Sequence, residues 1–232
     1  KLVGVVACLS SDCTISTALF FKALNLPVIS YSSSSADLDD RIQFPYFLRT
    51  VPSDVFQAKV MLNIIKAMKW QYVGLMYVKN NYGSKAMKAF KTLAAAEDSG
   101  VCVAEEIEIG DKMSDYDDAE FFKAWSQLVT QQVKVVVFFG IDVRYRSFLK
   151  YLEVDQRYGK FIFIGSEDWG NNDYILQEGP RSARGSITLK VEDIALESDA
   201  AFRSYLASRS PSVNDTNIWF PEFWQHIFDC NF

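Results

Sequence analysis

The segment Val133–Phe139, VKVVVFF, is apolar at nearly every position. A strand with one wetted face alternates apolar and polar residues. A strand that stays apolar through consecutive positions has both faces covered, as in a parallel sheet with helices on each side. Six further runs bounded by turn residues are predicted as strands: Leu2–Ala7, Pro27–Tyr31, Gln71–Val78, Val101–Ile109, Phe161–Gly165 and Ser186–Lys190. Helical periodicity occupies the intervals, at Thr14–Asn25, Val55–Met68, Gly83–Asp98, Asp118–Thr130, Arg144–Val154, Asp199–Ala207 and Pro221–Phe228. Asp54 and Gln57 have the spacing of a capping box at the start of the second helix. Strands alternating with helices predict an α/β fold, and a doubly wound sheet is its usual form. Two extended stretches, FLRTVPSD and LKVEDIAL, leave the alternation and read as crossings between two lobes.

Hydrophobic residues make up 49% of the chain and charged residues 23%, the balance of a protein with a packed core. The net charge of −5 argues against nucleic acid or an anionic membrane surface as partner. No apolar run approaches the roughly 20 residues of a membrane span, and no secretory leader is present. The chain opens inside an apolar strand, KLVGVVACL, and closes on an aromatic helix, FWQHIFDCNF. It reads as an internal piece of a longer protein.

The sequence lacks the patterns of common catalysts. There is no phosphate loop, no G-x-G-x-x-G after the first strand and no G-x-S-x-G elbow. The only histidine, His226, lies in the aromatic helix. The acidic run Ser114–Glu120 reads as a solvated helix start. An enzyme is not expected, and neither is a cofactor. Cys8, Cys13, Cys102 and Cys230 form no C-x-x-C, and with His226 the only histidine no metal site is expected. Each reads as a free thiol, although Cys8 and Cys13 flank the loop LSSD and a bridge between them would stiffen it. Asn214-Asp215-Thr216 is a glycosylation triplet, consistent with an extracellular setting.

In doubly wound folds ligands bind beyond the carboxyl ends of the strands, where loops feed helix N-termini. That rule selects CLSSDC, the serine run Ser32–Ser35, KNNYGS and SEDWGNN. By composition the serine run fits a solvated linker. By position it fits one wall of a site.

The stretch ISYSSSSADLDDRIQFPYFLRTVPSDVFQAKVMLNIIKAMKWQYVGLMY, with NNYG, IGSEDWG and NIWFPEFWQHIFDC after it, resembles the ligand-binding ectodomain of metabotropic glutamate receptors, the class C G-protein-coupled receptors. The similarity covers essentially the whole chain. It implies a bilobed, periplasmic-binding-protein-like type I fold (a Venus flytrap), incomplete here. Residues 1–50 would belong to lobe 1, 51–188 to lobe 2 and 189–232 to the return into lobe 1. The resemblance implies an extracellular, membrane-anchored amino-acid receptor that closes on L-glutamate or another α-amino acid. Ser11, Ser32 and Ser34 would meet the α-carboxylate side. Asp54, Tyr82 and Glu167 would face the ammonium, Tyr82 through its ring. Cys102 would bridge to a cysteine-rich domain and Cys230 to a cysteine beyond this chain. Phe20, Ala23 and Leu24, on the first helix, would lie at a homodimer interface through lobe 1. A seven-helix domain and, through it, a G protein would complete the set of partners. A same-family receptor for a different ligand, a soluble solute-binding protein, and an enzyme whose catalytic residues lie outside this chain are the alternatives. Three departures from the family pattern stand in the loops: Cys8 and Cys13, Asp12 in place of a neutral residue, and Glu167-Asp168 in place of Asp-Gly. They weigh against glutamate more than against amino-acid binding.

Overall fold

Consecutive apolar positions become strands that pair in parallel and are roofed on both faces. The computed structural model describes residues 2–96, 98–111, 118–170, 172–191, 200–209 and 219–230. The chain forms two compact units, Lys1–Val191 and Glu192–Phe232. The first contains two sheets. One has three strands, β1 (Val5–Val6), β2 (Val28–Ser30) and β3 (Phe47–Arg49), in that order and all parallel. The other has five, β4 (Tyr72–Val78), β5 (Cys102–Ile109), β6 (Val135–Phe139), β7 (Ile162–Gly165) and β8 (Ile187–Thr188), in the order β5-β4-β6-β7-β8, also parallel. This is the expected α/β architecture of parallel sheets flanked by helices.

The helices of this unit are α1 (Ser11–Lys22), α2 (Asp54–Ala67), α3 (Asn81–Ala94), α4 (Asp118–Thr130), α5 (Asp142–Val154) and the short α6 (Asp173–Leu176). All five residues of β6 are buried. Because successive side chains leave a strand on opposite faces, its odd and even positions enter different cores. Val135, Val137 and Phe139 pack with Met61 and Ile65 of α2 and Phe90 of α3. Val136 and Phe138 pack with Phe121 and Leu128 of α4 and Phe148 of α5. The three-stranded sheet has a smaller core, in which Ala18 of α1 meets Val28, Leu38, Phe44 and Phe47.

The second unit carries α7 (Ala200–Ala207) and α8 (Phe220–Phe228). Pro221 in the first turn of α8 suits its missing N–H, and Asp229 ends the helix in the left-handed region at φ 46°. Trp224 stacks against Phe228 at 4.5 Å between ring centroids. No helix among the described residues is long and apolar enough to cross a membrane.

Several expectations need correction. Phe47–Arg49, read as part of a crossing, is β3. Helix α2 is capped by Ser53, whose hydroxyl accepts from Val55 N. Asp54 is therefore the first helical residue, with its side chain buried, and the capping-box assignment to Asp54 and Gln57 fails. Ser10 caps α1, accepting from Cys13 N at 3.4 Å. Glu120 is not a solvated helix-start residue. It accepts from Gly110 N at 2.6 Å and pairs with the buried Arg144. Residues 112–117 of that acidic run lie outside the described residues.

The start of α3 depends on one glycine. Asn80 caps the helix by accepting from Gly83 N at 2.8 Å, which draws Gly83 onto the end of β4. A Cβ at Gly83 would stand 2.3 Å from the Val78 carbonyl oxygen. Gly83→Ala is expected to destabilise the protein by about 1–3 kcal/mol through overpacking against backbone. Urea unfolding of the two proteins checks this, and equal midpoints would refute it.

Candidate functional site

The loops that follow β1, β2, β4, β6 and β7 meet at one cleft. Its walls include Ser10, Ser11 and Asp12 after β1, Ser32 and Ser34 after β2, and Asn80 and Tyr82 after β4. Ile141 follows β6, and Glu167 and Asp168 follow β7. The cavity encloses about 120 Å³, a space for a small molecule.

The serine run is not a solvated linker. Ser33, Ser34 and Ser35 are buried, as is Ser30 before them. Ser30 Oγ accepts from the backbone N–H groups of Ser32 and Ser33 and donates to Cys8 O. Ser33 and Thr14 share a 2.7 Å hydroxyl–hydroxyl bond. Ser33 Oγ also donates to the carbonyls of Cys8 and Leu9. Ser11 Oγ accepts from Ser35 N at 3.3 Å. A buried loop outside the ladders must satisfy its backbone groups from side chains, and hydroxyls that donate and accept at once do so here. The result is a rigid wall in which Ser11 sits in the first turn of α1, where free N–H groups and the helix dipole favour an anion.

Cys8 and Cys13 close this loop with a disulfide, their Cα atoms 5.8 Å apart. Their plain reading as free thiols is thereby corrected. The bridge encloses the whole LSSD loop and ties the end of β1 to the first turn of α1.

The rest of the site is acidic, with Asp54 beside Ser34 and Glu167 on the loop after β7. Asp54 is 1% exposed; its backbone N–H donates to Ser34 O at 2.9 Å, and its Oδ1 accepts from Gln57 Nε2 at 3.3 Å. Gln57 Oε1 in turn accepts from Glu167 N at 2.8 Å, joining α2 to the loop after β7. Three enclosed oxygens, Asp54 Oδ2, Glu167 Oε2 and Tyr82 Oη, have no hydrogen-bond partner. Burial, and then the Glu167 carboxylate, push Asp54 up to about 8. Burial raises Glu167 to about 7, with Asp168 adding to the rise while its own backbone N–H, Gln57 and Tyr82 oppose it. The protein packed beside Asp168, and then Asp142, raise that group to about 6. Burial and Glu167 hold the Tyr82 phenol well above its ordinary value. Interacting acids titrate as a pair, so at neutral pH Asp54 and Glu167 hold roughly one proton between them.

The loop bearing Glu167 is fixed from below. The buried Tyr145 hydroxyl accepts from the N–H groups of Ser166 and Gly140, donates to Phe138 O, and lies 2.8 Å from Ser166 Oγ. Trp169 fills the space above Gly165, where a Cβ would come within 2.5 Å of its ring. The two walls are also joined at the start of α3. Asn81 accepts from Ser35 Oγ at 2.5 Å, donates from Nδ2 to Asp37 at 2.9 Å, and donates from its backbone to Asp12 at 3.2 Å. Lys85 pairs with Asp37 at 2.8 Å.

The structure thus brings Ser11, Ser32, Ser34, Asp54, Tyr82 and Glu167 to one place. Ile141 and the bridging role of Gln57 were not foreseen. Ile141 lies beyond an apolar strand without a polar loop to flag it, and the Gln57 spacing pointed to a cap. Cys102 is an exposed free thiol at the start of edge strand β5, and Cys230 is a half-buried one. Phe20 is exposed at 65% in the last turn of α1, and Ala23 and Leu24, just past its end, are exposed too. Asn214 lies outside the described residues. Among the described residues no cluster of His, Cys, Asp or Glu is placed to hold a metal ion.

A carboxyl whose pKa is raised on folding keeps a proton that the unfolded chain has lost. For Asp54 that contribution is complete below about 3.8 and disappears as pH climbs through about 8, so stability falls across this window. Asp54→Asn removes the titration and keeps the shape. The variant is expected to show a shallower decline between pH 5 and 8 and to be about 1–3 kcal/mol more stable at pH 8, the scale of one buried unsatisfied group. Urea unfolding at both pH values tests it; a variant less stable than the parent at pH 8 would contradict the assigned burial of charge.

The family model described as "Receptor family ligand binding region" matches residues 1–217. The chain is 31% identical over 231 residues to metabotropic glutamate receptor 4 of Macaca fascicularis and 30% identical to that of Mus musculus. Each alignment covers 99% of this chain and 25% of the relative. The chain therefore spans about a quarter of the length of these relatives. The matched family consists of receptors rather than enzymes, and its fold is the periplasmic-binding-protein-like type I arrangement of parallel sheets, of which this chain holds part. A cleft built from strand-end loops, in a chain matched along nearly all its length, places the protein in the family of receptor ligand-binding regions, with metabotropic glutamate receptor 4 among the proteins it is similar to.

Proposed function

We propose that the cleft binds the head group of an α-amino acid and that the region is the sensing module of a class C G-protein-coupled receptor. As a member of its family the region is extracellular, on a membrane receptor. The observation that carries the head-group reading is the pairing of unlike walls. One offers Ser11, Ser34 and the start of α1, suited to a carboxylate. The other offers Glu167 Oε2 and Tyr82, with Asp54 Oδ2 beside Ser34, enclosed acceptors without partners and suited to an ammonium. L-Glutamate and other α-amino acids share this head group. Ligand binding would draw the walls together, and that closure would pass to a seven-helix domain and a G protein.

Thermal-shift measurements on the full-length protein test the head-group reading, with L-glutamine, L-lysine and L-glutamate beside acetate and methylamine. At least one amino acid is expected to stabilise the protein where neither half-molecule does. Tyr82→Ala and Ser11→Ala are each expected to weaken that ligand at least tenfold. Equal stabilisation by methylamine alone would remove the carboxylate wall from the proposal.

We further propose that α1 meets a second copy of the chain. Phe21 turns into the small core, while Phe20 in the last turn of the helix and Leu24 just past its end remain exposed at 65% and 56%. Phe20→Asp is expected to weaken self-association at least tenfold in sedimentation equilibrium of the ectodomain. An unchanged dimer would place the interface elsewhere.

A further inference from the structure

The disulfide of this protein lies in the wall of the cleft, not in the core. Cys8 follows β1, Cys13 stands in the first turn of α1, and Ser10, Ser11 and Asp12 between them line the cavity. The two sides of this loop are held unequally. On the strand side the Cys8 carbonyl accepts from the hydroxyls of Thr14, Ser30 and Ser33, and the Leu9 carbonyl accepts from Ser33. On the helix side Thr14 is anchored to Ser33 at 2.7 Å, but the residues before it have longer bonds. The Ser10 cap reaches Cys13 N at 3.4 Å, beyond the usual range of about 2.7–3.2 Å. Ser11 Oγ takes Ser35 N at 3.3 Å, and Asp12 takes Asn81 N at 3.2 Å. The first N–H groups of a helix lack acceptors within it, and helix ends fray. The covalent bond at Cys13 is therefore the firmest hold on the turn Ser11–Cys13.

The bridge is also local. Its cysteines are five residues apart, and the stabilisation that a cross-link gives a whole fold shrinks with the loop it closes. Opening it loosens this wall and leaves both sheets in place. Cys13 is exposed and Cys8 half-buried, so a thiol in solution meets the Cys13 sulfur first. We propose that the Cys8–Cys13 bridge is a thiol-exchange site that sets the ligand affinity of the cleft, high with the bridge closed and low with it open. The reactant is a low-molecular-weight thiol of the glutathione class. Its thiolate bonds to Cys13 Sγ, and the bond between the two cysteines breaks with its electron pair on Cys8 Sγ, which takes up a proton. A second thiolate then attacks the small thiol's sulfur in the mixed disulfide, and Cys13 leaves as a thiolate and is protonated in turn. The bridge gains two electrons and two protons, and two small thiols become one small disulfide. Thr17 Oγ1 lies 3.8 Å from Cys8 Sγ and gives its own proton to Cys13 O at 2.8 Å, so it can accept from the released Cys8 thiol. The effect on affinity rests on the head-group reading above.

The test compares the full-length protein with and without excess reduced glutathione, beside a variant carrying Cys8→Ser and Cys13→Ser. Alkylation and mass mapping are expected to find Cys8 and Cys13 labelled after glutathione while the protein stays folded by circular dichroism. Amide hydrogen exchange across Ser11–Thr14 is expected to speed up at least tenfold, with β6 unchanged within twofold. By calorimetry, the tightest binder among L-glutamate, L-glutamine and L-lysine is expected to bind at least tenfold more weakly after glutathione. The variant is expected to match that weaker affinity within twofold and to be insensitive to glutathione. A bridge that stays closed in the folded protein overturns the exchange site. Equal affinity with the bridge mapped as open overturns its control of the cleft and leaves the head-group reading standing. If none of the three amino acids binds in either state, the head-group reading falls and the affinity control falls with it, whereas the exchange site is still decided by the mapping and by amide exchange at Ser11–Thr14.

Discussion

Parallel pairing is the constraint from which the site follows. Two parallel neighbours cannot be joined by a tight turn, so each strand must be followed by a crossing that returns to the opposite edge. Every strand then ends on the same side of its sheet. In this chain CLSSDC, the serine run, KNNYGS and SEDWGNN are all such strand-end loops, and the first turns of α1 and α3 begin there. The apolar interior and the polar cleft are two consequences of one topology. With β6 buried between β4 and β7, the loops after those two strands emerge on either side of the one that carries Ile141.

The backbone groups of the loops that build the cleft are satisfied by side chains, while three oxygens at the cleft have no partner. Tyr145 receives two N–H donors and gives its proton to Phe138 O, so the loop carrying Glu167 has a fixed base. Ser30, Ser33 and Thr14 close the backbone groups of the serine run. The unpaired oxygens of Asp54, Glu167 and Tyr82 stand apart from that pattern. Unpaired buried acceptors cost stability, and here they gather on one wall of one cavity.

Much of this was legible in the sequence. Continuous apolar runs marked β4, β6 and β7 within a residue or two, and α4 was placed at its observed limits, because long elements carry many repeats of their period. The four strand-end loops were named from the α/β rule alone. Short elements were harder. β3 has three residues, and FLR inside a polar stretch offers no alternation to read. The cap of α2 was misplaced by one residue, at Asp54 where Ser53 caps, since neighbouring Ser and Asp are equally good caps by type. The Cys8–Cys13 bridge needed a Cα separation that sequence spacing does not fix. The pairing of Glu120 with Arg144 joins residues of two helices, which no local pattern reveals.

The cleft balances attraction against repulsion across its two walls. Asn81 and Lys85, at the start of α3, are tied to Asp12, Ser35 and Asp37 on the serine side. Asp54 and Glu167 oppose that attraction whenever both are charged, and with the site unliganded they relieve the strain by keeping a proton. A cation between them reverses the sign. It binds each carboxylate, displaces the proton and turns the repelling pair into an attracting one. The group that recognises the ligand would then also supply the force for closure. Affinity for an ammonium should for this reason strengthen as pH rises from 6 to 8, the range in which the empty pair gives up its proton.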